Sequence, residues 1–171
     1  MAEAVTTITG DLVVHKQRFA LIVSRFNEFI SSRLLSAAVD TLERHGCGLG
    51  DVTVIWVPGA WELPQAARRA ARSGQFDAVV CLGCVIRGET PHFDYVAGEA
   101  AKGIAQAAFE SDLPIIFGVL TTETLDQAIN RAGAKTGNKG ADAALAAIEM
   151  ANLYMRLNES TRRQGKGGQR A

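Results

Sequence analysis

The stretch Ala78-Val-Val-Cys-Leu82, running directly into Gly83-Cys-Val-Ile-Arg-Gly-Glu-Thr-Pro-His-Phe93, decides how the rest of the chain is read. Its first part is an uninterrupted apolar, β-branched run, the pattern of a strand covered on both faces. Its second part is rich in glycine and polar residues and leads into a helix beginning near Pro91, whose apolar stripe is Phe93, Val96, Ala97, Ala100, Ile104, Ala107 and Ala108. The unit is strand, loop, helix. It repeats outward in both directions. Phe19–Val23, Val52–Val57 and Pro114–Leu120 are further buried strands. Leu34, Leu35, Ala38, Leu42 and His45 form a helical stripe that stops at Gly46. Leu63–Arg72 is a shorter helix with Pro64 in its first turn, where a missing N–H costs nothing. A helix over Thr124–Arg131 starts on a threonine cap, and Leu145, Ile148, Asn152 and Met155 mark a long last helix.

The order β-α-β-α-β-α-β-α-α predicts an α/β fold. It is a single-domain three-layer sandwich: a central four-stranded parallel sheet in flavodoxin-like order, with helices on both faces and right-handed crossovers. Val5–Val14 is expected to be an edge strand or an arm, so residues 1–17 are set apart from a domain over 18–158. Residues 159–171, polar, glycine-rich and basic, are expected to be a disordered tail.

Composition excludes several classes. The chain has 171 residues, 18 Lys+Arg against 18 Asp+Glu, and 47% hydrophobic residues. The balance leaves no basic field to collect nucleic acid or anionic lipid. No apolar run reaches the ~20 residues of a bilayer span. The first residues lack the basic and apolar blocks of a secretory signal. The 3 cysteines fit a reducing cytoplasm better than a disulfide scaffold, so a cytoplasmic protein is expected.

Ligands of open α/β sheets sit beyond the carboxyl ends of the strands. The segments there are Ser24-Arg-Phe-Asn-Glu28, Pro58-Gly-Ala-Trp-Glu-Leu-Pro64, Gly83–Phe93 and Thr121-Thr-Glu123. Phe26 and Trp61 can stack on a flat heterocycle, or serve as plain core. Asn27 and Glu62 can bind hydroxyls. The loop Arg87-Gly-Glu-Thr90 ahead of a helix start suits a phosphate, or simply caps the helix. It is not a Walker loop, because Glu89-Thr90 stands where Lys-Ser/Thr is required. His92, in the first helical turn, can move protons near neutral pH or be structural. His15 and His45 are read as structural. Cys81-Leu-Gly-Cys84 lies on an extended chain that turns its two cysteines to opposite faces, against a redox pair or a zinc site. Between the last two helices, Asn130–Gly140 holds the cations Arg131, Lys135 and Lys139 among glycines, either a solvated turn or an anion clamp.

Taken together, Ser24–Asn27, Pro58–Pro64, Gly83–Val96, Phe117–Thr122, Asn130–Gly133, Gly137–Gly140 and Ala147–Asn152 resemble the 6,7-dimethyl-8-ribityllumazine synthase family, over roughly residues 15 to 157. The resemblance implies a transferase of riboflavin biosynthesis that condenses 5-amino-6-(D-ribitylamino)uracil with 3,4-dihydroxy-2-butanone 4-phosphate, with no cofactor and no metal. It implies that Phe26 stacks on the pyrimidine and that Trp61 fills an aromatic position often held by Phe. Asn27, Ala60 and Glu62 match the ribityl-binding stretch, with Ala60 in place of a common Ser. Cys84, Val85 and Ile86 match the segment holding the uracil edge through the backbone. Gly88, Glu89 and Thr90 match the phosphate loop, His92 the proton-transfer residue and Arg131 the phosphate-binding arginine. Phe117, Arg131 and Lys139 are expected to reach the site from the adjacent subunit, and Asp142 matches an acidic position near that lysine. The resemblance further implies a homopentamer, an icosahedral capsid of about 60 subunits built from pentamers, and riboflavin synthase as a partner. The alternative within the same fold is a non-catalytic flavin- or lumazine-binding cage, which would keep the aromatics and lose His92 or Arg131.

Overall fold

The structure is a computed structural model, and it describes residues 5–135 and 137–167. Its elements follow the predicted order: β1 (Phe19–Ser24), α1 (Glu28–Arg44), β2 (Val52–Val57), α2 (Leu63–Arg72), β3 (Ala78–Ile86), α3 (His92–Phe109), β4 (Ile115–Thr122), α4 (Leu125–Arg131) and α5 (Lys139–Gly167). The 4-stranded sheet has the order β2-β1-β3-β4, and its strands all pair in parallel. This is the flavodoxin-like α/β sandwich. One face buries Leu21, Val23, Val80 and Leu82 beneath Leu34, Leu42, Ala144 and Ile148 of α1 and α5. The other buries Ala20, Ile22, Val79 and Cys81 beneath Leu63, Ala67, Ala100 and Ile104 of α2 and α3. Successive strand residues point to opposite faces, so each apolar run feeds both layers.

β2 departs from the doubly covered pattern: Thr53 and Val54 are exposed, because this strand lies at the sheet's edge. β3 is longer than its apolar run suggests. Gly83 reads as a stop, yet the ladder continues through Ile86 opposite Thr122. Gly83 is there for close packing: a Cβ on it would lie 2.8 Å from the Ser24 hydroxyl and 3.2 Å from the Leu63 side chain. α4 carries the threonine cap, Thr124 accepting from the Gln127 N–H at 3.2 Å.

Residues 5–14 are an arm and not an edge strand: none of them joins the sheet. The arm is held from beneath by Asn152, a fully buried amide on α5. Its Nδ2 donates to the Val13 carbonyl (2.9 Å) and to Asp11 (3.0 Å), while its Oδ1 accepts from Gln17 Nε2 (2.7 Å). Arg156 adds bonds to the Thr9 carbonyl and the Asp11 carboxylate, and Gly10 lies so close to α5 that a Cβ would overlap the Glu149 carbonyl. Replacing Asn152 by leucine breaks its bonds to the buried Gln17 and to the arm at Asp11 and Val13, and leaves the Gln17 amide without its partner. The expected loss is roughly 2–4 kcal/mol of unfolding free energy, read by denaturant titration, with early proteolysis of the arm. A variant as stable as the wild type would remove this role. At the other end α5 continues to Gly167, so the expected disordered tail is helical backbone over 159–167, and residues 168–171 lie outside the described residues.

Candidate functional site

The carboxyl ends of the strands converge as the parallel topology requires. β1 ends at Ser24, and the next two residues are tied to the loop after β2: the Arg25 N–H donates to the Val57 carbonyl (2.8 Å) and the Phe26 N–H to the Pro58 carbonyl (3.0 Å). These bonds put Phe26 and Trp61 on one rim, 71% and 56% exposed. That degree of exposure rules out the plain-core reading of both aromatics. Asn27 caps α1 in the left-handed region (φ 59), which an Asn tolerates better than most residues. Its side chain donates to the Cys84 carbonyl at 2.9 Å, tying the first loop to β3.

A cleft of about 480 Å³ opens along this rim, lined by Phe26, Pro58, Gly59, Ala60, Trp61, Glu62, Cys84, Val85, Ile86, Gly88, Thr90, His92, Phe93 and Val96. The volume lies in the range of small-molecule sites. Glu62 uses Oε2 to accept the Gly59 N–H (2.9 Å), which fixes the turn Ala60–Glu62 that presents Trp61. Ala60 is buried. Gly88 has open space where a Cβ would be. His92 is the first residue of α3 and is exposed at the cleft. Asn27 and Glu89 flank the cleft without lining it.

Cys81 and Cys84 are buried free thiols on opposite faces of the sheet, as the extended spacing requires. Burial pushes both thiols up to about 12. The native protein is therefore expected to leave both unalkylated by iodoacetamide near pH ~8, and to react fully once unfolded. Native-state labelling of either would contradict their burial. No cluster of His, Cys, Asp and Glu suited to a metal exists among the described residues, and no helix there is long and apolar enough to cross a membrane.

Phe117, Arg131 and Lys139 are not at this cleft. They line a second one of about 390 Å³, between β4, α4 and the start of α5. Phe117 is 44% exposed on the edge strand β4. Arg131 ends α4, exposed and without an ion pair among the described residues. Lys139 opens α5 and donates to Asp142 at 2.7 Å. The bend between them is locked by Asn138, whose Nδ2 donates to the Ala132 carbonyl (2.8 Å) and whose Oδ1 accepts the Gly140 N–H (2.8 Å). One chain thus carries two separate clefts, one with Phe26 and Trp61 and the other with Arg131 and Lys139.

A network missed by reading single motifs lies beside the first cleft. Arg87, at the end of β3, donates to both oxygens of Asp94 in the first turn of α3 (3.1 and 2.8 Å) and to Glu123 just beyond β4 (2.7 Å). The hydrogen bond from Arg87 holds the Asp94 carboxyl below the usual carboxylate range, and the same contact raises the guanidinium further. The sequence signal is two carboxylates at strand and helix ends, which only the topology brings to one arginine.

Fold and rim together define a class: a parallel α/β sandwich with a small-molecule cleft at the carboxyl ends of its strands, accompanied by a separate cationic cleft. Comparison with known proteins narrows it. The family model for 6,7-dimethyl-8-ribityllumazine synthase matches residues 16–155. A 6,7-dimethyl-8-ribityllumazine synthase of Salinibacter ruber is 59% identical over 152 residues, covering 89% of this chain and 97% of the relative. Those of Chlorobaculum tepidum and Chlorobaculum parvum are 58% identical over 153 residues, 90% of this chain and 99% and 98% of theirs. The chain belongs to the 6,7-dimethyl-8-ribityllumazine synthase family, and with it to the transferases.

Proposed function

We propose that the chain condenses 5-amino-6-(D-ribitylamino)uracil with 3,4-dihydroxy-2-butanone 4-phosphate to the lumazine, releasing phosphate and water, as the penultimate step of riboflavin biosynthesis. The observation that carries the reading is the division of residues between the clefts. A ring-stacking pair, a carboxylate and a histidine share one, and the cations that a phosphate ester needs line the other. Phe26 and Trp61 hold the pyrimidine, Ala60 and Glu62 the ribityl chain, and the Cys84–Ile86 backbone the uracil edge. Asn27 supports that edge through the Cys84 carbonyl. Gly88, Glu89 and Thr90 receive the phosphate through N–H groups ahead of α3.

The substrate amine attacks the ketone, water leaves and an imine forms. Phosphate is then eliminated, and ring closure releases a second water. His92 carries the protons these steps exchange. Most of the acceleration comes from holding two reactants in contact, and Arg131 with the loop N–H groups stabilises charge on the departing phosphate. The site is completed when Phe117, Arg131 and Lys139 of one copy face the aromatic cleft of the next. That is a heterologous contact, which closes into a ring, here a pentamer. The short Gly133–Asn138 bend favours assembly of pentamers into a shell. A shell of this kind could enclose riboflavin synthase. No cofactor takes part in the proposed chemistry.

Incubating the protein with both substrates and following lumazine absorbance tests the reading. Appearance of the chromophore together with stoichiometric phosphate supports it, and its absence from folded protein overturns it. The retention of both His92 and Arg131 favours the enzyme over a cage that only binds flavin or lumazine.

A further inference from the structure

The loop from Gly88 to Pro91 is the segment proposed to meet phosphate, yet among the described residues none of Gly88, Glu89 and Thr90 is tied down by a side-chain hydrogen bond. Its two ends are tied instead. Before the loop, the Arg87 N–H donates to the Thr122 carbonyl at 2.9 Å, the last rung between β3 and β4. After it, the Arg87 guanidinium grips Asp94 with both Nη atoms, two residues beyond His92. Nε reaches across to Glu123, whose own N–H donates to Gln127 Oε1 on α4 (2.9 Å). The guanidinium also lies 4.2 Å from the centre of the Phe93 ring, and Phe93 is itself a wall of the cleft. One side chain therefore joins the end of β3, the first turn of α3 and the end of β4.

We propose that Arg87 is the positioning residue of the reaction's phosphate end: its clamp on Asp94 and Glu123 closes the loop across its base and sets His92 and the Gly88–Thr90 N–H groups at the spacing the butanone phosphate requires. This rests on the function proposed above. Fold stability does not explain the network, because exposed ion pairs contribute little to it. Geometry does, because a planar guanidinium held by two oxygens of one carboxylate and one of another fixes direction, which a lysine's point charge does not. Displacements of an ångström in a reacting group cost far more in rate than in stability.

The test compares Arg87→Ala and Arg87→Lys, and combines Arg87→Ala with Asp94→Asn. It reads steady-state kinetics on both substrates, calorimetric titration with inorganic phosphate, and the melting temperature. The clamp predicts that Arg87→Ala loses about 10- to 100-fold in kcat/KM for the butanone phosphate and binds inorganic phosphate more weakly. KM for the ribityl substrate and the melting temperature should change little. Arg87→Lys should recover only a minor part, and adding Asp94→Asn should cost nothing further, since both changes break one contact. The proposal is overturned by an unimpaired Arg87→Ala, by full rescue with lysine, or by a loss spread equally over both substrates with a lowered melting temperature. If the wild-type protein turns over neither substrate, the functional reading falls instead. The phosphate titration then decides the clamp alone: weakened binding in Arg87→Ala sustains it and equal binding ends it.

Discussion

Replacing His92 by alanine is expected to lower kcat by roughly 10²- to 10⁴-fold, the usual worth of a positioned proton-transfer group, while a ribityl-uracil analogue still binds. The position makes both halves of this result specific. His92 is exposed at the start of α3, on the wall of the cleft, and contributes nothing to either apolar layer. Its loss leaves the core and the aromatic rim as they are. In the proposed reaction, imine formation and phosphate elimination both move protons, and with His92 on the cleft wall turnover should fall without loss of affinity. An unchanged kcat would remove His92 from the mechanism, and lost analogue binding would make it a binding group instead.

Arg131→Ala is expected to act on the other substrate. A cation on a phosphate contributes both to its binding and to charge stabilisation as it leaves. The loss should be about 10²- to 10³-fold in kcat/KM for the butanone phosphate, the scale seen when one preorganised donor is removed from a developing anion. Arg131 is the exposed last residue of α4 and makes no ion pair among the described residues, so the fold should be little affected. Steady-state kinetics at saturating ribityl substrate measure the effect. A change confined to the KM of the ribityl substrate would refute the phosphate assignment.

How much of this was legible in the sequence depends on the range of the interaction. The four strands are near-continuous apolar runs in alternation with amphipathic helices, so the runs Phe19–Val23 and Val52–Val57 match β1 and β2 almost to the residue. The rim aromatics could be placed as well, since in a parallel sheet the residue after a strand is at the rim wherever it sits in the chain. Signals with two meanings failed. Gly83 punctuates a strand in sequence but serves close approach in the fold, so the apolar run ends four residues before β3 does. Asn152 falls in the helical stripe by its spacing, yet it is a fully buried amide that needs a hydrogen-bonding partner. That partner is the arm 5–14, whose place no local pattern gives. Arg87, Asp94 and Glu123 are each an ordinary surface charge until β3, α3 and β4 meet. That Arg131 and Lys139 face a cleft apart from His92 follows only from the topology, and the resemblance alone suggested why.

The shared pocket is tested most directly by complementation. His92→Ala and Arg131→Ala proteins, each impaired to the extent given above, are unfolded together, refolded as mixed assemblies and assayed for lumazine. If each site takes His92 from one copy and Arg131 from its neighbour, random mixing in a ring restores both residues at about one quarter of the sites, and activity returns to roughly that fraction of wild type. If both residues serve a site within the same copy, every site stays defective and the mixture remains as inactive as its components, which would contradict a pocket built between chains.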